Sequence, residues 1–148
     1  MSYISLKYHL VFSTKDRRPL ITPEVLPRLT QYIGGIVREL GGQMLAGNGP
    51  PDHFHIATIL DQKRALMDVL SAVKANSSGW IHRTFPQLGD FDWQDGYAAF
   101  TVSQSGIAQV VRYVEGQQEH HKKMTFQEEL VALLKKHEIP FDERYIWR

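Results

Sequence analysis

The stretch His53-Phe54-His55 sets two imidazoles one apolar residue apart. Successive strand side chains point to opposite faces, so on a strand both rings would share a face and could grip one metal ion. The triplet follows the turn signal Gly49-Pro50-Pro51-Asp52 and runs into Ile56-Ala57-Thr58-Ile59-Leu60, an apolar run of strand length. Any His-apolar-His triplet on a strand pairs its rings this way, and alone it is an ordinary sheet histidine pair. A second constellation later in the chain adds weight: Tyr113 and Gln117 stand one helical turn apart, after Ser103-Gln104-Ser105-Gly106 and before His120-His121. Ile107, Val110, Val111 and Val114 recur at helical spacing and predict an amphipathic helix from Gly106 to Lys122. At about 100° per residue, Tyr113, Gln117 and His120 share one flank, while His121 turns back towards the core edge. Two imidazoles and an amide oxygen can hold a divalent cation and leave positions open for a phosphate oxygen. Tyrosine, with an unperturbed pKa of about 10, needs such a cation to act as a nucleophile. Metal plus tyrosine is therefore a coherent phosphoryl-transfer site.

The elements that must position these groups can be read from periodicity. Ile4, Leu6, Tyr8, Leu10 and Phe12 alternate with Ser5, Lys7, His9 and Val11 and predict a first strand. Thr22-Pro23-Glu24 opens a helix that keeps Val25, Leu26, Leu29, Ile33, Ile36, Val37 and Leu40 in register until Gly41-Gly42. Residues 43–48 and 53–60 read as strands. A second helix is predicted over 62–77, with Asn76-Ser77-Ser78-Gly79 as a breaker cluster and 80–92 as partly loop. Residues 94–102 form a fourth strand, the tyrosine helix follows, and Thr125 with Glu128 begins a final helix through Leu130, Leu133 and Leu134 to His137. This order predicts an α+β fold: a split βαββαβ core with an antiparallel sheet, helices on one face and the histidine strand central or nearly so. The opposite face is expected to be open for substrate or for the tyrosine helix. Gly116 within that helix costs roughly 1 kcal/mol relative to alanine and predicts local flexibility.

Five blocks in order carry a resemblance that covers nearly the whole chain. They are Tyr8-His9-Leu10-Val11-Phe12-Ser13-Thr14-Lys15, then Pro51-Asp52-His53-Phe54-His55, then Gly96-Tyr97-Ala98-Ala99-Phe100-Thr101-Val102-Ser103. Tyr113-Val114-Glu115-Gly116-Gln117-Gln118-Glu119-His120-His121 and Phe141-Asp142-Glu143-Arg144-Tyr145-Ile146-Trp147 complete the set. The chain resembles the single-tyrosine HUH transposases of the IS200/IS605 type, including the REP-associated tyrosine transposases. The resemblance implies a ferredoxin-like core, His53, His55 and Gln117 as metal ligands, and Tyr113 as the nucleophile. It also implies magnesium or manganese as cofactor and single-stranded DNA with imperfect hairpins as substrate, cleaved and rejoined through a 5′-phosphotyrosine intermediate. Finally, it implies a homodimer in which the tyrosine helix of one subunit completes the histidine pair of the other. The short Ser-Gln-Ser-Gly connection argues the same way, because a site within one subunit requires a tight fold back over the sheet.

Composition bounds the rest. A chain of 148 residues with 43% hydrophobic and 22% charged residues is expected to form one domain, 1–148, with a real core. The absence of cysteine excludes disulfides and thiolate zinc sites. With no leader pattern and no apolar run near membrane length, the expectation is a cytoplasmic or nucleoid-associated protein. The net charge is only +1, so placement matters more than the sum. Lys15, Arg17 and Arg18 surround Asp16, and Lys63, Arg64, Lys74 and Arg83 cluster in and after the second helical segment. Of these, Lys15, Arg17, Arg18, Lys74 and Arg83, together with His120, are candidate DNA contacts. Trp80, Trp93 and Trp147 are assigned to the core or a dimer interface, and His9, His82 and His137 have no predicted partner. A metal-free phosphoesterase with paired His-x-Ser/Thr motifs fits poorly, since only His82-Arg83-Thr84 has the pattern. The alternative from another class is a non-catalytic nucleic-acid-binding module of RNA-recognition-like fold, although the glycine-aromatic signature of that module does not occur.

Overall fold

The computed structural model describes residues 1–144 and 146. The expected packing of Trp147, and Tyr145 of the closing block, lie outside the described residues. The four strands are β1 (Lys7–Ser13), β2 (Gln43–Asn48), β3 (His53–Ile59) and β4 (Ala98–Thr101), in the spatial order β2-β3-β1-β4. The β1–β3, β1–β4 and β2–β3 pairings are all antiparallel. This is the ferredoxin-like order, with the histidine strand β3 in the interior of the sheet. Pairing of Val11 with His55 and of Ser13 with His53 fixes the height of both imidazoles on the sheet.

One face is covered by α1 (Val25–Glu39) and α2 (Leu66–Thr84). On α1, Val25, Leu29, Ile33 and Val37 are buried at four-residue spacing, and the Thr22 hydroxyl accepts from Val25 N at 3.3 Å. These residues join Leu10, Phe12, Phe54, Ile56, Leu70 and Ile81 in the main core. Helix α2 begins later than expected and runs straight through Asn76-Ser77-Ser78-Gly79. The reason is packing: Ser77 is buried, its hydroxyl accepts from the Trp93 indole at 2.9 Å, and Ile81 beyond it is fully buried. Tertiary burial here overrides weak helix propensity. Trp93 is in the core as expected, while Trp80 packs at its border and stacks on Tyr32. The first strand is shorter than its sequence alternation, and Ile4 is exposed. β4 is likewise shorter than 94–102, because Lys74 Nζ ties the carbonyl oxygens of Gln94 and Gly96 at 2.6 and 2.9 Å and holds this approach off the sheet.

Of the two occupants expected for the second face, the structure places the tyrosine helix there, joined by the C-terminal helix. That face carries α3 (Ile107–Glu115), α4 (Gln117–His120) and α5 (Phe126–Lys136). Val110, Val111 and Val114 pack on Ala46 and Ala57, and Phe126, Leu130, Leu133 and Leu134 pack on Val11 and Phe100. The tyrosine helix expected over 106–122 is thus two helices broken at Gly116. Among the described residues no helix is long and apolar enough to cross a membrane.

Candidate active site

His53 and His55 project from β3 onto the second face and are fully buried. Each ring is oriented through Nδ1, which frees Nε2 to point inward. His53 Nδ1 meets Asp52 Oδ1 at 2.7 Å, and His55 Nδ1 meets His9 Nε2 at 2.8 Å. His9, for which the sequence offered no partner, therefore sits behind His55, with the two rings stacked at 5.1 Å. Such outer contacts fix the ring and its tautomer at metal-binding histidines.

The inward nitrogens meet a residue that sequence reading did not single out. Glu129, on α5, is 1% exposed. Its Oε1 lies 3.0 Å from His53 Nε2, 2.9 Å from His55 Nε2 and 3.1 Å from His121 Nε2. Its Oε2 accepts from the Tyr113 hydroxyl and, at 3.1 Å, from Gln117 Nε2. The signal was present in the sequence: Glu129 lies on the same stripe as Phe126, Leu130 and Leu133, so it is a carboxylate on the apolar face of its helix. The neighbouring Glu128 is the capping-box partner of Thr125, so the cap signature accounts for Glu128 and not for Glu129. His121 joins the cluster as its turn towards the core edge implied.

The electrostatics follow from this packing. Burial opposes the charge on Glu129, but the bonds from His53 and His55 outweigh it and hold the carboxyl far below the usual carboxylate range. Burial would lower His53, yet the bonds to Asp52 and Glu129 prevail and raise it. His55 falls to about 4, and His9 to about 3, chiefly by burial. Burial, then the Glu129 carboxylate, pushes the Tyr113 phenol well above its ordinary value. The phenol is held neutral beside a fixed negative charge, and a cation is the natural counterweight to that charge.

The donor chemistry fits a divalent cation. His53, His55, His121 and Glu129 present ligand atoms within 4.8 Å of one another. Gln117 is fully buried, and its Oε1 has no hydrogen-bond partner among the described residues. An orphaned buried carbonyl is costly, and a cation would satisfy it.

The structure thus brings Tyr113, His53, His55 and Gln117 together within one chain. The sequence expected a tight fold-back to disfavour this, but α3 lies flat on β2 and β3 through its valine stripe, and the short connection suffices. Amide pairing of Asn48 with Gln118, at 2.7 Å in both directions, and an Asn48 bond to Glu115 O at 3.0 Å pin the α3–α4 junction to β2. His120 stacks on the Tyr113 ring at 4.6 Å. The other candidate DNA contacts are scattered. Lys15, Arg17 and Arg18 form a 3-10 turn and its end, with Arg18 paired to Asp90 at 2.7 Å. Lys74 is committed to two carbonyl oxygens, and both Lys74 and Arg83 lie on α2, across the sheet from the site. His82 is there too, bonded to Phe91 O at 2.6 Å, and His137 stacks on Phe100 at 4.4 Å. The face that an RNA-recognition-like module offers to bases is covered here by α3 and α5.

The family model described as "Transposase IS200 like" matches residues 2–117. The ISDra2 transposase TnpA of Deinococcus radiodurans is 29% identical over 117 residues, which is 76% of this chain and 84% of that protein. The crystal structure of a Deinococcus radiodurans protein assigned as a transposase has a TM-score of 0.65 at 28% identity, covering 78% of this chain and 93% of its own. A REP-associated tyrosine transposase bound to a REP hairpin has a TM-score of 0.60 at 15% identity, over 82% of this chain and 72% of its own, a likeness of fold. The family match takes in most of the chain and runs through β3 to the start of α4, from which it follows that the protein belongs to the IS200-like transposase family.

Proposed function

We propose that the protein is a metal-dependent single-strand DNA endonuclease and strand transferase that acts at hairpins through a covalent 5′-phosphotyrosine intermediate. The observation that carries this reading is the meeting of Tyr113 with a buried imidazole cluster through one carboxylate. His53, His55 and Gln117 would hold a divalent cation, magnesium or manganese, which would supply charge neutralisation at the scissile phosphate. The phenolic oxygen of Tyr113 attacks phosphorus, the bond to the 3′ oxygen breaks, and the DNA is left with a free 3′-OH and a 5′ phosphate linked to tyrosine. Glu129 Oε2 accepts the hydrogen bond that aims the phenol; the phenolic proton passes to solvent as the O–P bond forms, and the departing 3′ oxygen takes a proton from solvent. Attack by a different 3′-OH on the phosphotyrosine joins strands with no loss of phosphodiester bonds.

A cavity of about 260 Å³ opens on Tyr113 and is lined by His9, Ser103, Gln109 and Lys136. It gives a strand room to reach the phenol and a cation for its phosphates. The hairpin bound by the REP-associated relative supports a hairpin substrate here. The test is incubation of the full chain with single-stranded oligonucleotides taken from palindromes flanking its gene. A protein–DNA species that survives denaturant and maps to Tyr113 is expected. Cleavage that yields only free ends, with no tyrosine-linked DNA, would overturn the reading.

A further inference from the structure

His121 and Glu129 lie beyond the family match, which ends at residue 117. Both nevertheless point into the histidine cluster. In an octahedral shell with bonds of about 2.1 Å, adjacent donors stand about 3.0 Å apart. The separations of Glu129 Oε1 from His53, His55 and His121 Nε2, at 3.0, 2.9 and 3.1 Å, match the edges of such a polyhedron. Asp52 and His9 hold two of the three rings from behind, and α5 is anchored by its reciprocal Thr125–Glu128 cap and by Phe126 packed 4.3 Å from the His53 ring. Two of the rings and the helix that carries Glu129 thus have supports outside the cluster, in addition to the contacts of the donors with one another.

We propose that Glu129 and His121 complete the cation site begun by His53 and His55, and that this set of three imidazoles and one carboxylate selects a first-row transition cation over magnesium. The inference rests on the reading above that a cation works at this site. Magnesium favours oxygen donors and keeps much of its water, whereas imidazole nitrogen favours transition metals. A largely buried, imidazole-rich cluster offers magnesium little. The same carboxylate holds Tyr113 and Gln117 through Oε2, so Glu129 ties the cation to the nucleophile. Because Glu129 belongs to α5, occupancy of the site and docking of α5 reinforce each other.

The experiment uses the full chain, stripped with chelator and desalted. It is titrated with manganese chloride while the electron-paramagnetic signal of free Mn²⁺ is followed, then competed with magnesium chloride. Wild type is expected to bind Mn²⁺ at least about tenfold more tightly than Mg²⁺, and Glu129→Gln to lose about tenfold or more of the Mn²⁺ affinity. His121 stands at the rim of the cluster, so His121→Ala serves as the second variant should Glu129→Gln fail to fold; it is expected to weaken Mn²⁺ and narrow its margin over Mg²⁺. Equal Mn²⁺ affinity in wild type and a folded variant, or Mg²⁺ binding as tight as Mn²⁺, would overturn the proposal. Adduct formation read in parallel separates the two ideas. Selective Mn²⁺ binding without any Tyr113–DNA adduct would support this site and count against the nuclease, and an adduct with metal binding indifferent to Glu129 and His121 would do the reverse.

Discussion

Tyr113 donates its hydroxyl hydrogen to Glu129, a residue sixteen positions later on a different helix. The tyrosine is therefore not a free side chain on a helix flank. It is held neutral, aimed at a carboxylate that also faces three imidazoles.

Removing the hydroxyl separates chemistry from folding. Tyr113→Phe keeps the ring that stacks on His120 and leaves Glu129 its other partners, so stability should fall by only about 1 kcal/mol. Covalent adduct and nicking should both vanish while hairpin binding persists. Denaturing gels and a gel-shift titration of the same protein check this, and a denaturant-resistant adduct formed by the Phe protein would remove Tyr113 from its role.

Gln117 offers a contrast of signs. Its buried Oε1 has no hydrogen-bond partner among the described residues, a cost of about 1–3 kcal/mol without a cation. Gln117→Met removes that orphan together with the 3.1 Å bond from Nε2 to Glu129, so the two effects offset and the stripped protein should change little in stability, while cation affinity falls about tenfold. Thermal melts with and without Mn²⁺ should show the cation-induced rise in Tm shrink. A melt that drops sharply in chelator would mean that the amide is structural. His53→Ala and His55→Ala should lose cleavage altogether, as should wild type in excess chelator; full activity in chelator would exclude a metal role for these residues.

The sequence made the local part of this site legible and left the long-range part hidden. His53 and His55 could be paired because strand alternation is a local rule, and Tyr113 with Gln117 because helical spacing is another. The fold class followed from the order of such elements. Glu129, by contrast, matters because α5 packs on the sheet at Val11 and Phe100, and no periodicity reports where a helix docks. His9 was hidden for the same reason, since its face of β1 reads as the less apolar one until α3 and α5 cover it. The failed helix boundary at Ser77 is a further case: a breaker cluster in the sequence becomes helix once Ser77 holds Trp93.

Gly49 gives a prediction about the scaffold. A Cβ built there would stand 2.1 Å from His53 O and 3.0 Å from Phe54 Cα, in the turn that delivers β3. Both obstacles are backbone, so the strand must move. Gly49→Ala should destabilise by about 2 kcal/mol or more and weaken cation binding through the displaced His53. Chemical denaturation measures the first effect, and an unchanged midpoint would show that the turn is more compliant than its contacts suggest.

The last prediction concerns which tyrosine serves which histidines. Resemblance and the short connection before α3 favoured a site shared between two subunits, but in this structure Tyr113 reaches Glu129 and the histidines of its own chain. The Asn48–Gln118 amide pair fastens the α3–α4 junction to the end of β2, so exchange of the tyrosine helix requires that clasp to open. If the site is built within one chain, each subunit of a mixed Tyr113→Phe and His53→Ala dimer keeps its own lesion, and mixing the two inactive proteins should restore no cleavage. A shared site would instead give one composite site with every residue intact and up to about half the wild-type activity per dimer. Asn48→Ala sharpens the comparison, because loosening the clasp should permit exchange. Rescue that appears only in the Asn48→Ala background would identify the amide pair as what holds the helix at home. The measurement is hairpin cleavage by differentially tagged, co-purified pairs, and rescue equal to half the wild-type rate without the Asn48 change would show that the helix crosses between subunits.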